Sequence, residues 1–319
     1  MSHFELHVAV LMGGPSAEAE VSRVSAAEVA KGLDQAGHRA TLLELDTGAA
    51  QALADLTPDV VFPALHGPPG EDGTVQGFLE ILNLPYVGSG VHGSAVAMDK
   101  SLAKAVFRRA GLPVADDLVV SVGADLAAAE REILDTLGER VVIKPLNQGS
   151  AIGVIRVPNG GDLQAALQTA LAFGHRVLVE PYVHGREITV GVLDVTGDEP
   201  EPFPVIEIIT ASDEWYDYTN RYTVGKSEHV VPADVPDPVA DALREHAVRA
   251  HAELGLRDLS RADYILTDAN EIVLLEVNTL PGMTPTSLFP DGARATGRDF
   301  PTLVDLLVRR AHQRGADGA

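Results

Sequence analysis

The chain has 319 residues, room for two or three α/β units, and 45% of them are hydrophobic, enough for folding without metal or disulfide staples. A formal net charge of −22 argues against a nucleic-acid or anionic-membrane surface, and the lack of cysteine excludes disulfides, thiolate catalysis and Cys-ligated zinc. No stretch is long and apolar enough to span a bilayer, and the short run His7–Met12, with no Lys or Arg before it, reads as a buried strand and not a signal peptide, so a cytoplasmic protein is expected.

In chain order, His7–Met12 leads through Gly13-Gly14-Pro15-Ser16 into an amphipathic pattern from Val21 to Ala36 that stops at Gly37, a strand, glycine loop and capped helix. Thr41–Leu45 and Val60–Leu65 read as further buried strands, and a helix Thr74–Leu82 lies before Pro85-Tyr86-Val87. This alternation predicts a mostly parallel sheet in a first domain, 1–98. A second domain, 99–185, opens with the helix Lys100–Ala110. Strands Leu118–Val120, Val141–Pro145, Val154–Val157 and Val177–Pro181 follow, with helices near Asp125–Leu137 and Asp162–Ala172. The loop Asn147–Gly153 joins two of these strands as a hairpin. A third domain, 186–319, holds strands Ile188–Leu193 and Val205–Ile209 and a helix Val239–Leu254. Its strands Asp263–Leu266 and Ile272–Val277 are joined by a turn. Between the strand Val205–Ile209 and that helix, the polar and aromatic loop Thr210–Pro232 has the length of a functional lid.

Asp263 and Glu276 fall on adjacent strands of the last hairpin, and two carboxylates converging on a sheet surface repel unless a cation lies between them. Mg²⁺ takes oxygen ligands, commonly one or two carboxylates plus substrate phosphates, and Glu276-Val277-Asn278 puts two oxygen donors on one strand face. Arg261 shares the face of Asp263, where its cation could hold a developing anion. The competing reading is an edge strand with solvated acids. Lys144 ends an apolar strand in a chain with five lysines. It reads either as a snorkelling surface residue or as a phosphate contact beside the Gly/Ser loop. That loop is not a Walker A motif. Glu180-Pro181-Tyr182-Val183 with Glu187 could read an adenine edge and a ribose, although spacing alone favours an inter-domain linker with solvated acids. His66 lies just past a buried strand, where α/β sheets bind ligands, but a lone His is commonly structural. Glu18 at a helix start reads equally well as a first-turn acid.

Taken together, these stretches resemble the D-alanine–D-alanine ligases of the ATP-grasp superfamily. The resemblance runs from about Val8 to about Leu307. It is carried by Gly13-Gly14-Pro15-Ser16-Ala17-Glu18-Ala19-Glu20-Val21-Ser22, by His66 to Gly73 with Gln76-Gly77, and by Met98-Asp99-Lys100. Lys144-Pro145 with Gly149-Ser150 and Tyr216-Asp217-Tyr218 with Tyr222 continue it. Glu276-Val277-Asn278-Thr279-Leu280-Pro281-Gly282-Met283-Thr284 with Ser287-Leu288 completes it. The resemblance implies an ATP-grasp fold of α/β (α+β) class, with an N-terminal parallel-sheet domain and two further α+β domains enclosing ATP. It implies joining of two D-alanines through an acyl phosphate for peptidoglycan precursor synthesis. Lys100 and Lys144 would meet the ATP phosphates under a cover containing Ser150. Glu180 and the backbone at Val183 would hold adenine, and Glu187 the ribose. Asp263, Glu276 and Asn278 would bind two Mg²⁺ (or Mn²⁺) ions. Glu18, with His66 nearby, would orient the first D-alanine. Ser287 and the Leu288 amide would take the carboxylate of the second. Arg261 and the Gly282 amide would stabilise the tetrahedral anion. Tyr222 would close the lid through Ser150 to Glu18. Many relatives of this kind are dimers.

The chain departs from the family pattern at Pro181, often Lys, at Ala151, often a second Ser, and at Arg221, where Lys usually precedes the lid tyrosine. Arg221 is expected to take over the phosphate contact with its planar fork. The alternatives are a ligase with another acceptor (D-lactate, D-serine or another amino acid) and a non-catalytic nucleotide binder. Tyr222 opposes the ester-forming type. Retention of Arg261, Asp263, Glu276, Asn278 and both lysines opposes the binder, which needs no transition-state cation.

Overall fold

The computed structural model describes residues 4–195, 199–210 and 225–316, so most of the expected lid lies outside the described residues. The chain opens with β1 (His7–Met12), α1 (Ala19–Gln35), β2 (Arg39–Glu44), α2 (Ala49–Leu56), β3 (Val60–Pro63), α3 (Thr74–Ile81) and α4 (Val91–Met98). The three strands pair parallel in the order β2-β1-β3, as the alternation predicted. Successive side chains of a strand point to opposite faces. Val8, Val10, Val60 and Phe62 therefore enter one core, while Ala9, Leu11 and Val61 enter another. Apolar side chains are needed on both faces, which explains the near-continuous apolar runs. β2 differs from expectation. It is an edge strand with no fully buried position, because only β1 flanks it.

A second sheet follows α5 (Lys100–Arg109). It comprises β4 (Leu118–Ser121), α6 (Leu126–Leu137), β5 (Val141–Pro145), β6 (Ile155–Val157), α7 (Leu163–Leu171) and β7 (Arg176–Pro181), in strand order β4-β7-β5-β6, all antiparallel. The helices start on side-chain caps. Asp99, Asp125 and Asp162 each accept backbone N–H bonds from the first turn that follows. Val141, Ile143, Val177 and Val179 face the core that Ile133 of α6 and Leu163 and Leu167 of α7 complete. Val142, Lys144 and Glu180 occupy the alternate positions and line a cavity on the opposite side of the sheet.

The third sheet comprises β8 (Arg186–Asp194), β9 (Glu201–Pro202), β10 (Ile206–Thr210) and β11 (Ser227–Val230). After α8 (Asp237–Glu253) it adds β12 (Asp258–Leu266) and β13 (Ile272–Asn278), and α9 (Leu288–Ala295) and α10 (Phe300–Arg314) end the described chain. Its strands are antiparallel in the order β11-β10-β8-β12-β13, with β9 paired to β8. The cores do not respect chain order. Ala103 and Phe107 of α5 pack against Val190, Tyr264 and Leu274 of this third sheet. Leu303, Val304, Leu307 and Val308 of α10 return to the first sheet and pack with Val8, Val10, Val29 and Leu33.

The return of α10 is pinned by a buried ion pair. Asp258, fully buried, is bonded by Arg314 at both carboxylate oxygens and accepts the Gly88 N–H at 2.8 Å, while Arg314 also donates to the Tyr86 carbonyl at 2.7 Å. Arg257 donates to the Gly88 carbonyl at 2.8 Å and stacks over Tyr86. The start of β12, the end of α10 and the segment after the first sheet are thereby held as one block.

Candidate active site

Two cavities meet at Lys100, Gln148, Gly149 and Glu276. The first is polar and draws on the N-terminal unit and the third sheet. Glu18, just before α1, is 3% exposed and makes no capping bond. It accepts a hydrogen bond from the Ser150 hydroxyl, so the β5–β6 hairpin reaches across to the N-terminal unit. Gly67 permits this approach: its φ is +65°, and a Cβ there would lie 2.9 Å from Glu18 Oε2.

Two buried ionisable groups beside Glu18 are neutral near pH 7. Burial, then the nearby Arg261 cation, lowers His66 to about 4. Its Nε2 lies 3.0 Å from the Ser25 hydroxyl. Burial and the Glu18 carboxylate push Glu71 up to about 8, and its Oε2 accepts the Gly67 N–H at 2.6 Å. A substrate ammonium entering here would meet Glu18 as its anionic partner, with His66 uncharged beside it.

Arg261 on β12 grips Asp263 with a planar fork, Nε to Oδ1 at 2.8 Å and Nη2 to Oδ2 at 2.7 Å. Arg261 pairs in register with Asn278, and Asp263 with Glu276, so all four belong to one ladder. At the far wall, Ser287 occupies the cap position of α9 without capping it. Its oxygen accepts the Thr284 N–H at 3.0 Å instead. The first-turn N–H groups of α9, Leu288 included, are left without that side-chain cap at the positive end of a helix dipole, a setting that suits a carboxylate. Gly282 allows Ser287 this close, since a Cβ there would lie 2.7 Å from its Oγ.

The second cavity lies between the second and third sheets. Lys144 and Glu180 line it from β5 and β7, Val183 from the crossover to β8, Glu187 from β8 itself, and Ile265, Val273 and Leu275 from the facing strands. Apolar strand residues together with charged and polar groups give a nucleobase a surface to stack on and partners for its edge. Lys144 Nζ is 2.6 Å from Glu180 Oε2. Burial alone would lower the Lys144 ammonium and raise the Glu180 carboxyl, but their mutual attraction reverses both, and Lys104 adds its charge on the Glu180 side. At the junction of the cavities, Lys100 donates to the Gln148 carbonyl at 2.8 Å and sits 3.1 Å from Glu276 Oε2.

The donor set fits a hard divalent cation. Among the described residues, no three His, Asp or Glu side chains gather into a complete metal cage. Glu276 and Asn278 line the first cavity with oxygen donors, Asp263 stands behind Arg261 in the same ladder, and phosphate oxygens would complete the shell, as Mg²⁺ prefers. Lys100 and Arg261 supply positive charge to Glu276 and Asp263, and Asn278 Oδ1 accepts the Leu280 N–H at 2.9 Å.

Several bland readings of the sequence are overturned. Glu180 is not a solvated linker acid: it lies inside β7, 4% exposed. Lys144 does not snorkel to the surface, because Glu180 holds it in the cavity wall. Glu18 is turned away from the first turn of its helix. Asp263 lines neither cavity surface and lies behind Arg261. Tyr216, Tyr218, Arg221 and Tyr222 lie outside the described residues. Three polar residues at or near the site had been given no role: Glu71, Gln148 and the fully buried Lys104. Glu71 stood inside the His66–Gly73 stretch, and Lys104 was marked only by the scarcity of lysine.

Known proteins resemble this chain along most of its length. The family model described as D-ala D-ala ligase C-terminus matches residues 106–309, and that of the D-ala D-ala ligase N-terminus matches residues 46–89. A D-alanine–D-alanine ligase of Moorella thermoacetica is 45% identical over 307 residues, covering 95% of this chain and 98% of the relative. One from Acidiphilium cryptum is 46% identical over 307 residues, covering 95% and 98%. Among solved structures, the Bacillus anthracis D-alanine–D-alanine ligase complexed with ATP superposes with a TM-score of 0.83 at 29% identity, covering 97% of this chain and 98% of that one.

Proposed function

The chain belongs to the D-alanine–D-alanine ligase family, and from that premise we propose that it uses ATP to activate one D-alanine and joins it to a second, giving D-alanyl-D-alanine for the peptidoglycan precursor. The observation that carries this reading is the junction of the two cavities at Lys100 and Glu276. It sets a nucleotide slot directly against a pocket with an anion for an ammonium and an uncapped helix end for a carboxylate. Among the described residues, no helix is long and apolar enough to cross a bilayer. The proposed setting is the cytoplasm, and a homodimer is the proposed assembly, taken from the family.

Adenine enters between the second and third sheets, its amine toward Glu180 and its edge toward the Val183 backbone, with the ribose at Glu187. Lys144 and Lys100 draw the phosphates to the junction, and Arg221 is proposed to add a fork from the lid. Asp263, Glu276 and Asn278 would hold two Mg²⁺ (or Mn²⁺) ions, which when bound neutralise phosphate charge. Glu18 and His66 orient the first D-alanine so that its carboxylate faces the γ-phosphate. A carboxylate is a poor acylating agent; transfer of the γ-phosphoryl group to it releases ADP and gives an acyl phosphate, a good one. Ser287 and the Leu288 amide hold the second D-alanine by its carboxylate; its amine, having lost the ammonium proton, attacks the acyl carbon, and the C–O bond to phosphate breaks to release inorganic phosphate. Arg261 and the Gly282 amide stabilise the anion that forms, in the manner of an oxyanion hole. Tyr222, with Ser150 and Glu18, closes the site against water, which would hydrolyse the acyl phosphate.

The test is ADP release with D-alanine, D-serine, D-lactate, glycine and L-alanine, with mass detection of the product. D-alanine is expected to give the fastest release and D-alanyl-D-alanine as product. Equal rates with L-alanine would refute the substrate assignment.

A further inference from the structure

We propose that Lys104 is a positioning residue for the nucleotide base: it stays on Glu180 and keeps it an ionised acceptor, while Lys144 leaves the same carboxylate for the phosphates. The inference rests on the reading of Glu180 as the adenine acceptor. Lys104 is 1% exposed, and a buried ammonium persists only where carboxylates compensate it. It donates to Glu180 Oε1, and Asp117 Oδ1 lies 3.3 Å away. Asp117 is itself paired with Arg108, so a continuous chain of charges runs from the outer end of α5 to the cavity wall.

The two lysines on Glu180 differ in what else they face. The Lys144 side chain is 16% exposed and lines the nucleotide cavity. The Lys104 side chain is 1% exposed and lies outside the cavity lining, held between the Glu180 and Asp117 carboxylates. A carboxylate offers about four lone-pair sites. When Lys144 turns to phosphate, Oε2 is vacated for the exocyclic amine of adenine, and Oε1 remains on Lys104. Burial acts to raise the Glu180 carboxyl, and after Lys144 has moved Lys104 is the remaining contact cation opposing it. Without that cation, burial pushes the carboxyl toward its protonated form, which offers an O–H where adenine needs an acceptor. ITP, with a carbonyl in place of the amine, would then be discriminated against less.

The experiment measures kcat/KM for ATP and for ITP, with all other substrates saturating. The enzymes are wild type, Lys104→Met, Lys104→Arg, Glu180→Gln and the Lys104→Met/Glu180→Gln double variant. The expected result is a fall in the ATP-over-ITP preference of roughly tenfold or more in Lys104→Met, the scale of one charge-assisted hydrogen bond. Lys104→Arg should keep most of the preference, and the double variant should lose no more than Glu180→Gln alone. Thermal melts identify variants that do not fold, and Lys104→Gln, which keeps a polar end in the same space, then stands in for Lys104→Met with the same expectation. If Lys104 substitution weakens ATP and ITP equally while Glu180→Gln loses the preference, Lys104 only packs and the inference is wrong, though the adenine site stands. If Glu180→Gln also keeps the preference, the adenine assignment falls and this inference with it.

Discussion

The two neutral groups beside Glu18 set a pH dependence with opposite signs. Glu71 is raised from 4.5 to about 8, so its contribution to stability is full below its unfolded value and drains away as pH rises toward 8. His66 is lowered from 6.5 to about 4, so its contribution is full above 6.5 and drains as pH falls toward 4. Between about 4.5 and 6.5 the two slopes oppose each other, and from 6.5 to 8 Glu71 acts alone. Glu71→Gln removes one of them. The variant should lose less stability than wild type from pH 6.5 to 8, and more on acidification from 6.5 to 4.5. Urea melts at several pH values read both slopes, and parallel profiles for the two proteins would refute the assignment. Glu71 was quoted within the His66–Gly73 stretch, but its protonation was not legible there, because it comes from burial and from Glu18, which is distant in sequence.

At the scale of elements, two local devices hold the acceptor wall and the C-terminal helix. Gly282→Ala places a methyl in the space of Ser287 Oγ, 2.7 Å from that oxygen. Ser287 and the start of α9 must shift, while Glu18 and His66 are untouched. KM for the second D-alanine should rise several-fold more than KM for the first, and initial-rate kinetics that resolve the two sites check it. Equal changes at both would show a general loosening instead. Arg314→Ala leaves fully buried Asp258 without its cation. A loss of about 3–5 kcal/mol is expected, the usual cost of breaking a buried pair from one side, with guanidinium melts as the measurement. Asp299, which caps α10, and the run Leu303, Val304, Leu307, Val308 form a helix signal that is local and readable in the sequence. The partner of that helix could not have been read, since its core contacts lie on the first sheet.

Over the whole molecule, 46 acidic against 24 basic residues leave a net charge of −22 and a self-repelling surface. Raising monovalent salt from about 0.01 M to about 0.15 M shortens the Debye length from roughly 30 Å to roughly 8 Å. The melting temperature should therefore rise by a few degrees over that range. A fall would mean that the surface ion pairs, such as Arg23 with Glu44, outweigh the repulsion.

By itself the sequence determined the strands and helices whose signals are local: the apolar runs of β1 and β3, the aspartate caps of α5, α6 and α7, and the β5–β6 hairpin. Motif order also determined which residues were chemically eligible for a site. Only the tertiary structure decided how those residues are used. Ser150 meets Glu18 across 132 positions, and Lys104 meets Glu180 across 76. The same long-range packing made β2 an edge strand, returned α10 to the first sheet and buried Glu180 between two lysines. Charge states and exposure depend on neighbours that the fold brings together, and local periodicity carries no information about them.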